Sequence, residues 1–292
     1  MDVVKAAVIG AGTMGNGIAQ VMAASGIETL MTDVSEAALQ RGMGAIGKSL
    51  DRLLSRQKIS GSDRQAILGR IRTTTRLEEV AGCDVVIEAA TENLDLKLKI
   101  FGNLDRVARA DAILASNTSS ISLTRIAAAT KRPAQVIGMH FFNPVPVMQL
   151  VELIRALQTS DATFEAIRAL TQKLGKTPVE VKNSPGFVSN RILLPMINEA
   201  VFCLHERLAS AEDIDTVMKL GMAHPMGPLA LADLIGLDTC LSILEVLYEG
   251  FKDPKYRPCP LWREKVDAGH LGRKSGRGFF VYEERKPAGA AG

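Results

Sequence analysis

The sequence contains no CxxC pair. Its four cysteines, Cys83, Cys203, Cys240 and Cys259, are scattered over 292 residues. That spacing suits neither a zinc site nor a disulfide framework, so no metal centre is expected, and free thiols in a reducing compartment are. No stretch approaches the ~18 consecutive apolar residues needed to cross a bilayer. The N-terminus enters a strand by Lys5 with no targeting segment before it. A cytoplasmic chain with no membrane partner is the expectation. Charge of one sign is also scarce: the net charge of +3 lacks the strong basic bias of a nucleic-acid binder and argues against that class. It leaves room for a local basic face toward a small anionic ligand.

What is present is enough apolar material for two cores. Hydrophobic residues make up 47% and charged residues 23%, so disorder is not the default. Apolar runs at 6–9, 29–33, 84–89, 112–117 and 136–142 read as strands. Helical stretches at about 14–25, 35–57 and 94–108 fall between them. The alternation predicts βαβ crossovers and a parallel sheet covered on both faces. After Val181 the strands almost vanish. Leu193, Met196, Ile197, Ala200, Val201, Leu204 and Leu208 recur at helical spacing and predict one long helix, with Pro195 kinking it. "SAED" at 210–213 resembles a capping box for another helix. The fold class is thus α/β over residues 1–183, followed by an all-helical domain over 184–292. The closing "KPAGAAG" (286–292) has nothing to pack and is expected to be mobile.

"VIGAGTMGNGIAQ" follows the first strand and opens the first helix. In it Gly10 permits a tight turn, Gly12 lets backbone approach a pyrophosphate, and Gly15 lets helix and strand pack closely. Thr13 and Met14 complete the turn at the helix N-terminus, whose unpaired amides suit phosphates. Asp33 ends the second strand, eighteen residues beyond Gly15. A carboxylate there suits both ribose hydroxyls and repels a 2′-phosphate, and no cation follows it until Arg41. NAD is therefore expected over NADP. The alternative is a glycine-rich turn with no cofactor.

Oxidation of an alcohol by a nicotinamide cofactor requires a base for the hydroxyl proton. The chain has four histidines. His205 and His270 read as solvated, and His224 as a turn residue with no obvious acid beside it. His140 stands at the end of a predicted strand, where ligands of such sheets gather. "HFFNPVPVMQLVE" (140–152) ends on Glu152, and its prolines force a turn that can return this acid to the ring and fix the tautomer. The competing reading is a core histidine beside an unrelated acid.

"GAGTMGNGIA", "SNTSSIS", "GMHFFNPVPVMQLVE", "SPGFVSNRILLP" and "HPMGPLALADLIGLD", in this order and spacing, resemble the 3-hydroxyacyl-CoA dehydrogenase family, nearest to its short bacterial 3-hydroxybutyryl-CoA members. The resemblance spans residues 4–282. It implies a Rossmann-like NAD-binding domain and a helical substrate and dimerisation domain. It also implies His140 as general base with Glu152 orienting it, Ser119 holding the substrate C3 oxygen, and Asn190 near the carbonyl region. Ser119 precedes His140 by twenty-one residues; otherwise Ser119 or Ser120 merely caps a helix starting near Ile121. For NAD the resemblance adds Glu92, Lys97, Ser119, Asn143 and Lys274, though Glu92 could equally be an acid in a first helical turn. Ser119 and Asn143 are also implied to face the substrate.

Coenzyme A carries several phosphates. Arg52 and Arg56 lie four residues apart, on one helical face, and the resemblance places CoA contacts on Ser49 and Arg56, where relatives often have lysine. The bland alternative is a solvated helix face. The reading is NAD-dependent interconversion of an (S)-3-hydroxyacyl-CoA, short-chain by resemblance, and its 3-oxoacyl-CoA, by a homodimer. Its rivals are a dehydrogenase of a free hydroxy acid and a non-catalytic nucleotide-binding protein.

Overall fold

Short apolar runs, buried on both faces, make the middle of the sheet. Lys5–Ile9 forms β1, Glu28–Thr32 β2, Ile71–Thr74 β3, Val85–Glu88 β4, Ile113–Ser116 β5, Val136–Phe141 β6, Leu150–Arg155 β7 and Thr177–Lys182 β8. The structure, a computed structural model, describes residues 2–282. Among these the eight strands form one sheet in the order β3-β2-β1-β4-β5-β6-β7-β8. Every residue of β4, β5 and β6 is buried, as a parallel sheet sandwiched by helices requires. The segment 286–292 lies outside the described residues.

β1 to β6 run parallel, but the expectation of a wholly parallel sheet is corrected at one end. β7 is antiparallel to β6, and β8 is parallel to β7. The link from Phe142 to Gln149 is too short for a parallel crossover, which needs a dozen or more residues, so the chain must double back. This hairpin sets Glu152 directly opposite His140. Residues so paired share a sheet face.

Six helices accompany the strands: α1 (Thr13–Ala24), α2 (Glu36–Ser55), α3 (Gly61–Gly69), α4 (Leu94–Val107), α5 (Leu123–Ala128) and α6 (Asp161–Lys173). Ile18 and Met22 of α1 and Leu39, Ile46 and Leu50 of α2 join strand residues such as Val8, Met31 and Ile87 in one core. Ser35 caps α2 by accepting from the Ala38 amide. At α3 a full capping box joins Ser60 and Asp63.

The described residues divide into two units, the first ending at Ser184 and the second beginning at Pro185. The second unit is helical: α7 (Ser189–His205), α8 (Ala211–Thr216), α9 (Pro228–Ile235), α10 (Leu237–Phe251) and α11 (Pro260–Asp267). α7 contains Pro195 and buries Leu194, Ile197, Ala200 and Val201. Leu208 does not belong to that face; it lies past the helix end and is 76% exposed. Ser210 caps α8 through the Asp213 amide, while Asp213 accepts the Ser210 hydroxyl proton, so only half of the expected box forms. Buried Asn198 accepts from Cys259 N and Trp262 Nε1 and donates to Arg257 O, tying α7 to α11. No helix among the described residues is long and apolar enough to cross a membrane.

Candidate active site

β1 has β2 on one side and β4 on the other, so the strand order reverses at its carboxyl end, where open α/β sheets bind ligands. There the chain turns through Gly10 at φ +100°. A Cβ on Gly10 would stand 2.8 Å from Ala89 O, and one on Gly15 would stand 1.8 Å from Gly10 O. Both glycines are required by backbone approaching backbone. Gly12 differs, since a Cβ there would meet nothing within 4 Å. It begins α1 with no side-chain cap and no acid in the first turn. Open space above uncapped amides fits a pyrophosphate. Thr13 is exposed and Met14 half-buried beside it. Asp33 is half-buried, its carboxylate accepting from Ala11 N at 2.9 Å and Ser35 N at 3.1 Å. It thereby holds the glycine turn against the end of β2.

His140 lies near the carboxyl end of β6 with 7% exposure, and Glu152 on β7 has 2%. His140 Nδ1 and Glu152 Oε2 are 2.8 Å apart. With an ionised acid, Nδ1–H donates to the carboxylate and the basic lone pair resides on Nε2. Phe142 packs against the imidazole with centroids 4.7 Å apart. Beside it, Asn117 Oδ1 accepts from Phe141 N at 2.9 Å, tying the end of β5 to that of β6.

The loops after β4 and β5 meet at Glu92. Its carboxylate accepts from Thr118 Oγ1 and Ser119 N, each at 2.7 Å, and from Ser119 Oγ at 3.1 Å. Glu92 is therefore not a first-turn acid; α4 begins at Leu94 behind an Asn93 cap. Nor do Ser119 and Ser120 cap α5. That helix starts at Leu123, whose amide is taken by Asn183 Oδ1. Lys97, implied as a cofactor contact, is 1% exposed. It is ion-paired to fully buried Glu88 and lies 3.3 Å from Ser116 Oγ.

Asn143 is exposed at the start of the β6–β7 turn. Nearly buried Lys176 donates to Val145 O and Met148 O at 2.7 Å, clasping that turn, and burial lowers the pKa of its ammonium. Ser49 on α2 is half-buried, and Arg52 and Arg56 are exposed. In the second unit Asn190 lies in the first turn of α7, and Lys274 pairs with Asp238. Burial pushes the Cys83 thiol up to about 11 and the Cys240 thiol up to about 12. Neither supplies a thiolate nucleophile near neutral pH.

Sequence reasoning passed over Glu88, Ser116, Asn117, Thr118 and Lys176. Glu88 offered one signal, an acid closing an otherwise apolar strand. Asn117 and Thr118 lay within the quoted "SNTSS" block. Lys176 gave none, because its acceptors are carbonyls of a distant turn.

A dinucleotide-type glycine turn at the switch point and a buried His–Glu pair at the same sheet edge define a nicotinamide-dependent dehydrogenase. Comparison with known proteins narrows the class. Residues 5–184 match the family model "3-hydroxyacyl-CoA dehydrogenase, NAD binding domain", and residues 186–282 match "3-hydroxyacyl-CoA dehydrogenase, C-terminal domain". The chain belongs to the 3-hydroxyacyl-CoA dehydrogenase family. It is 55% identical to a probable 3-hydroxybutyryl-CoA dehydrogenase of Bacillus subtilis, over 98% of this chain and 99% of that one. It is 53% identical to a 3-hydroxybutyryl-CoA dehydrogenase of Bradyrhizobium diazoefficiens, over 97% of each. The crystal structure of (S)-3-hydroxybutyryl-CoA dehydrogenase from Ralstonia eutropha superposes with a TM-score of 0.94 at 57% identity, covering 97% of this chain and all of that one.

Proposed function

We infer that the chain interconverts (S)-3-hydroxyacyl-CoA, short-chain in preference, and 3-oxoacyl-CoA with NAD. The observation that carries this reading is the buried His140–Glu152 bond at the carboxyl edge of the sheet. When bound, NAD supplies the acceptor for the C3 hydride. His140 Nε2 takes the C3 hydroxyl proton, and Glu152 stabilises the resulting imidazolium. In reduction the proton returns by the same route. Ser119 holds the C3 oxygen, and Asn190 contacts the carbonyl region. Gly10, Gly12, Thr13, Met14 and Gly15 cradle the pyrophosphate, and Asp33 receives the adenine ribose. Glu92, Asn143 and Lys274 complete the cofactor side. Ser49, Arg52 and Arg56 receive the phosphates of CoA, where a planar guanidinium serves well.

The test is NADH oxidation with acetoacetyl-CoA, beside free acetoacetate and beside NADPH. Turnover is expected with the thioester and NADH alone. Reversing both charges, Arg52→Glu with Arg56→Glu, is expected to raise KM for acetoacetyl-CoA with kcat little changed, the signature of lost ground-state binding. Equal turnover of free acetoacetate, indifferent to the charge reversal, would move the assignment to hydroxy acids without CoA.

The helical unit is also proposed to form a homodimer. Leu208 and Val217 line an apolar cavity of about 580 Å³, and Leu220 and Met222 follow at 82% and 61% exposure.

A further inference from the structure

Lys176, the residue before β8, is 8% exposed, and the chemistry derived above gives it no part. Its ammonium donates to Val145 O and Met148 O, each at 2.7 Å. Burial alone shifts its pKa, downward, and no carboxylate among the described residues offsets the charge. The two carbonyls belong to the turn between β6 and β7. That turn also closes on itself, since Pro144 O accepts from Val147 N at 2.9 Å and from Met148 N at 3.0 Å. Thr177 N donates to Gln149 O at 2.8 Å, so β8 begins locked to the end of the same turn. Packing fixes the other side. Val145 is 2% exposed and lies against α1, where a Cβ on Gly17 would come within 2.8 Å of Val145 Cβ.

A buried ammonium whose partners are carbonyls is a costly way to fill space. A methionine of similar length would spare the desolvation, but it could not draw two carbonyls to one point. What the clasp governs is the direction of the first residues of the turn. Asn143 is exposed, and its side chain makes no hydrogen bond among the described residues, so the backbone alone aims its amide. His140 and Glu152 are held differently, by the β6–β7 ladder, with Met139 opposite Leu153 and Phe141 opposite Val151 on either side of them. We propose that Lys176 is a positioning residue for Asn143: by clasping Val145 O and Met148 O it fixes the turn, and with it the amide that meets the cofactor. This rests on the reading of Asn143 as a cofactor contact. A group held in its bound geometry beforehand spares the cost of ordering it on binding.

The experiment is a double-mutant cycle on the full chain, with Lys176→Met, Asn143→Ala and their combination. It is read by direct NADH titration and by the pH profile of kcat with acetoacetyl-CoA. Asn143→Ala is expected to weaken NADH binding. Lys176→Met is expected to raise the NADH dissociation constant about threefold to tenfold, because binding must then order a turn that is no longer held. In the Asn143→Ala background it should cost less than about twofold further. The acid limb of the pH profile should stay in place, since the ladder and not the turn holds Glu152 to His140. Wild-type NADH affinity in Lys176→Met, whatever its thermal stability, would make the clasp purely structural and overturn the proposal. Equal weakening in both backgrounds would also overturn it, because the effect would not pass through Asn143. So would a displaced acid limb, because the ammonium would then act on the charge of His140. Asn143→Ala at wild-type affinity would instead refute the cofactor role of Asn143, and this inference with it. Should Lys176→Met not fold, Lys176→Gln, whose neutral and shorter amide falls short of the clasp, enters the same cycle with the same outcomes.

Discussion

A carboxylate that orients a base can be told from one that merely fills space by exchanging it for its amide. Glu152 accepts at His140 Nδ1 across 2.8 Å inside a nearly closed pocket. In Glu152→Gln the side chain keeps its shape but can turn its NH2 toward Nδ1, which moves the ring proton to Nε2 and removes the base. The charge that stabilises imidazolium is lost as well. We expect kcat to fall by about 10²–10⁴-fold in both directions, with the NADH dissociation constant unchanged. Steady-state kinetics with 3-hydroxybutyryl-CoA and acetoacetyl-CoA check this, and a kcat close to wild type would reduce Glu152 to a packing residue. This pair was legible in the sequence because the chemistry demanded a base and the chain offered few histidines. Lys97 was not legible in the same way. Its residue type suggests a phosphate or ribose contact, and nothing in "TENLDLK" shows that this lysine turns inward to Glu88 while Lys99, two positions on, stays exposed.

Whole elements were readable in proportion to their burial. β1, β4, β5 and β6 are apolar runs and stand out as such. β3 and β8 have one buried residue each, with patterns Beei and eieeBe, so no hydrophobic periodicity marks them; they are edge strands recognised only through their partners. β7 carries the apolar signal, but its antiparallel sense follows from the length of the turn before it, which is a matter of geometry and not of composition. The glycine turn separates fold from function within one element. At Gly15 a methyl group would lie 1.8 Å from a backbone oxygen, while at Gly12, with φ −66°, it would enter open space. Gly15→Ala is therefore expected to destabilise the chain by about 1–3 kcal/mol or more and to abolish NADH binding. Gly12→Ala should cost less than about 1 kcal/mol while still weakening NADH severely, because the methyl occupies the approach of the pyrophosphate. Thermal unfolding beside NADH titration separates the two. Gly12→Ala with wild-type affinity would place the dinucleotide elsewhere.

At the scale of the molecule, composition promised enough apolar material for two cores, and each unit buries an apolar core of its own among the described residues. Assembly is a different matter, because exposure cannot be read from a sequence whose helices are amphipathic throughout. The helical unit leaves Leu208, Val217, Leu220 and Met222 between 60% and 82% exposed, a concentration of large apolar side chains within fifteen residues of chain. Each isolated apolar residue on a surface is ordinary, but several large ones close together in the chain, two of them lining an apolar cavity, point to an interaction site. In a homodimer with two-fold symmetry the same patch meets itself, so one substitution acts twice at the interface. Leu220→Glu then places two carboxylates into an apolar contact, at a desolvation cost that neither repays. Sedimentation velocity is expected to give a dimer for the wild-type chain and a monomer for Leu220→Glu at the same concentration. NADH affinity should be retained in the monomer, since every residue of the glycine turn belongs to the first unit. A wild-type chain that sediments as a monomer throughout, or a Leu220→Glu chain that stays dimeric, would assign this patch to another partner or to none.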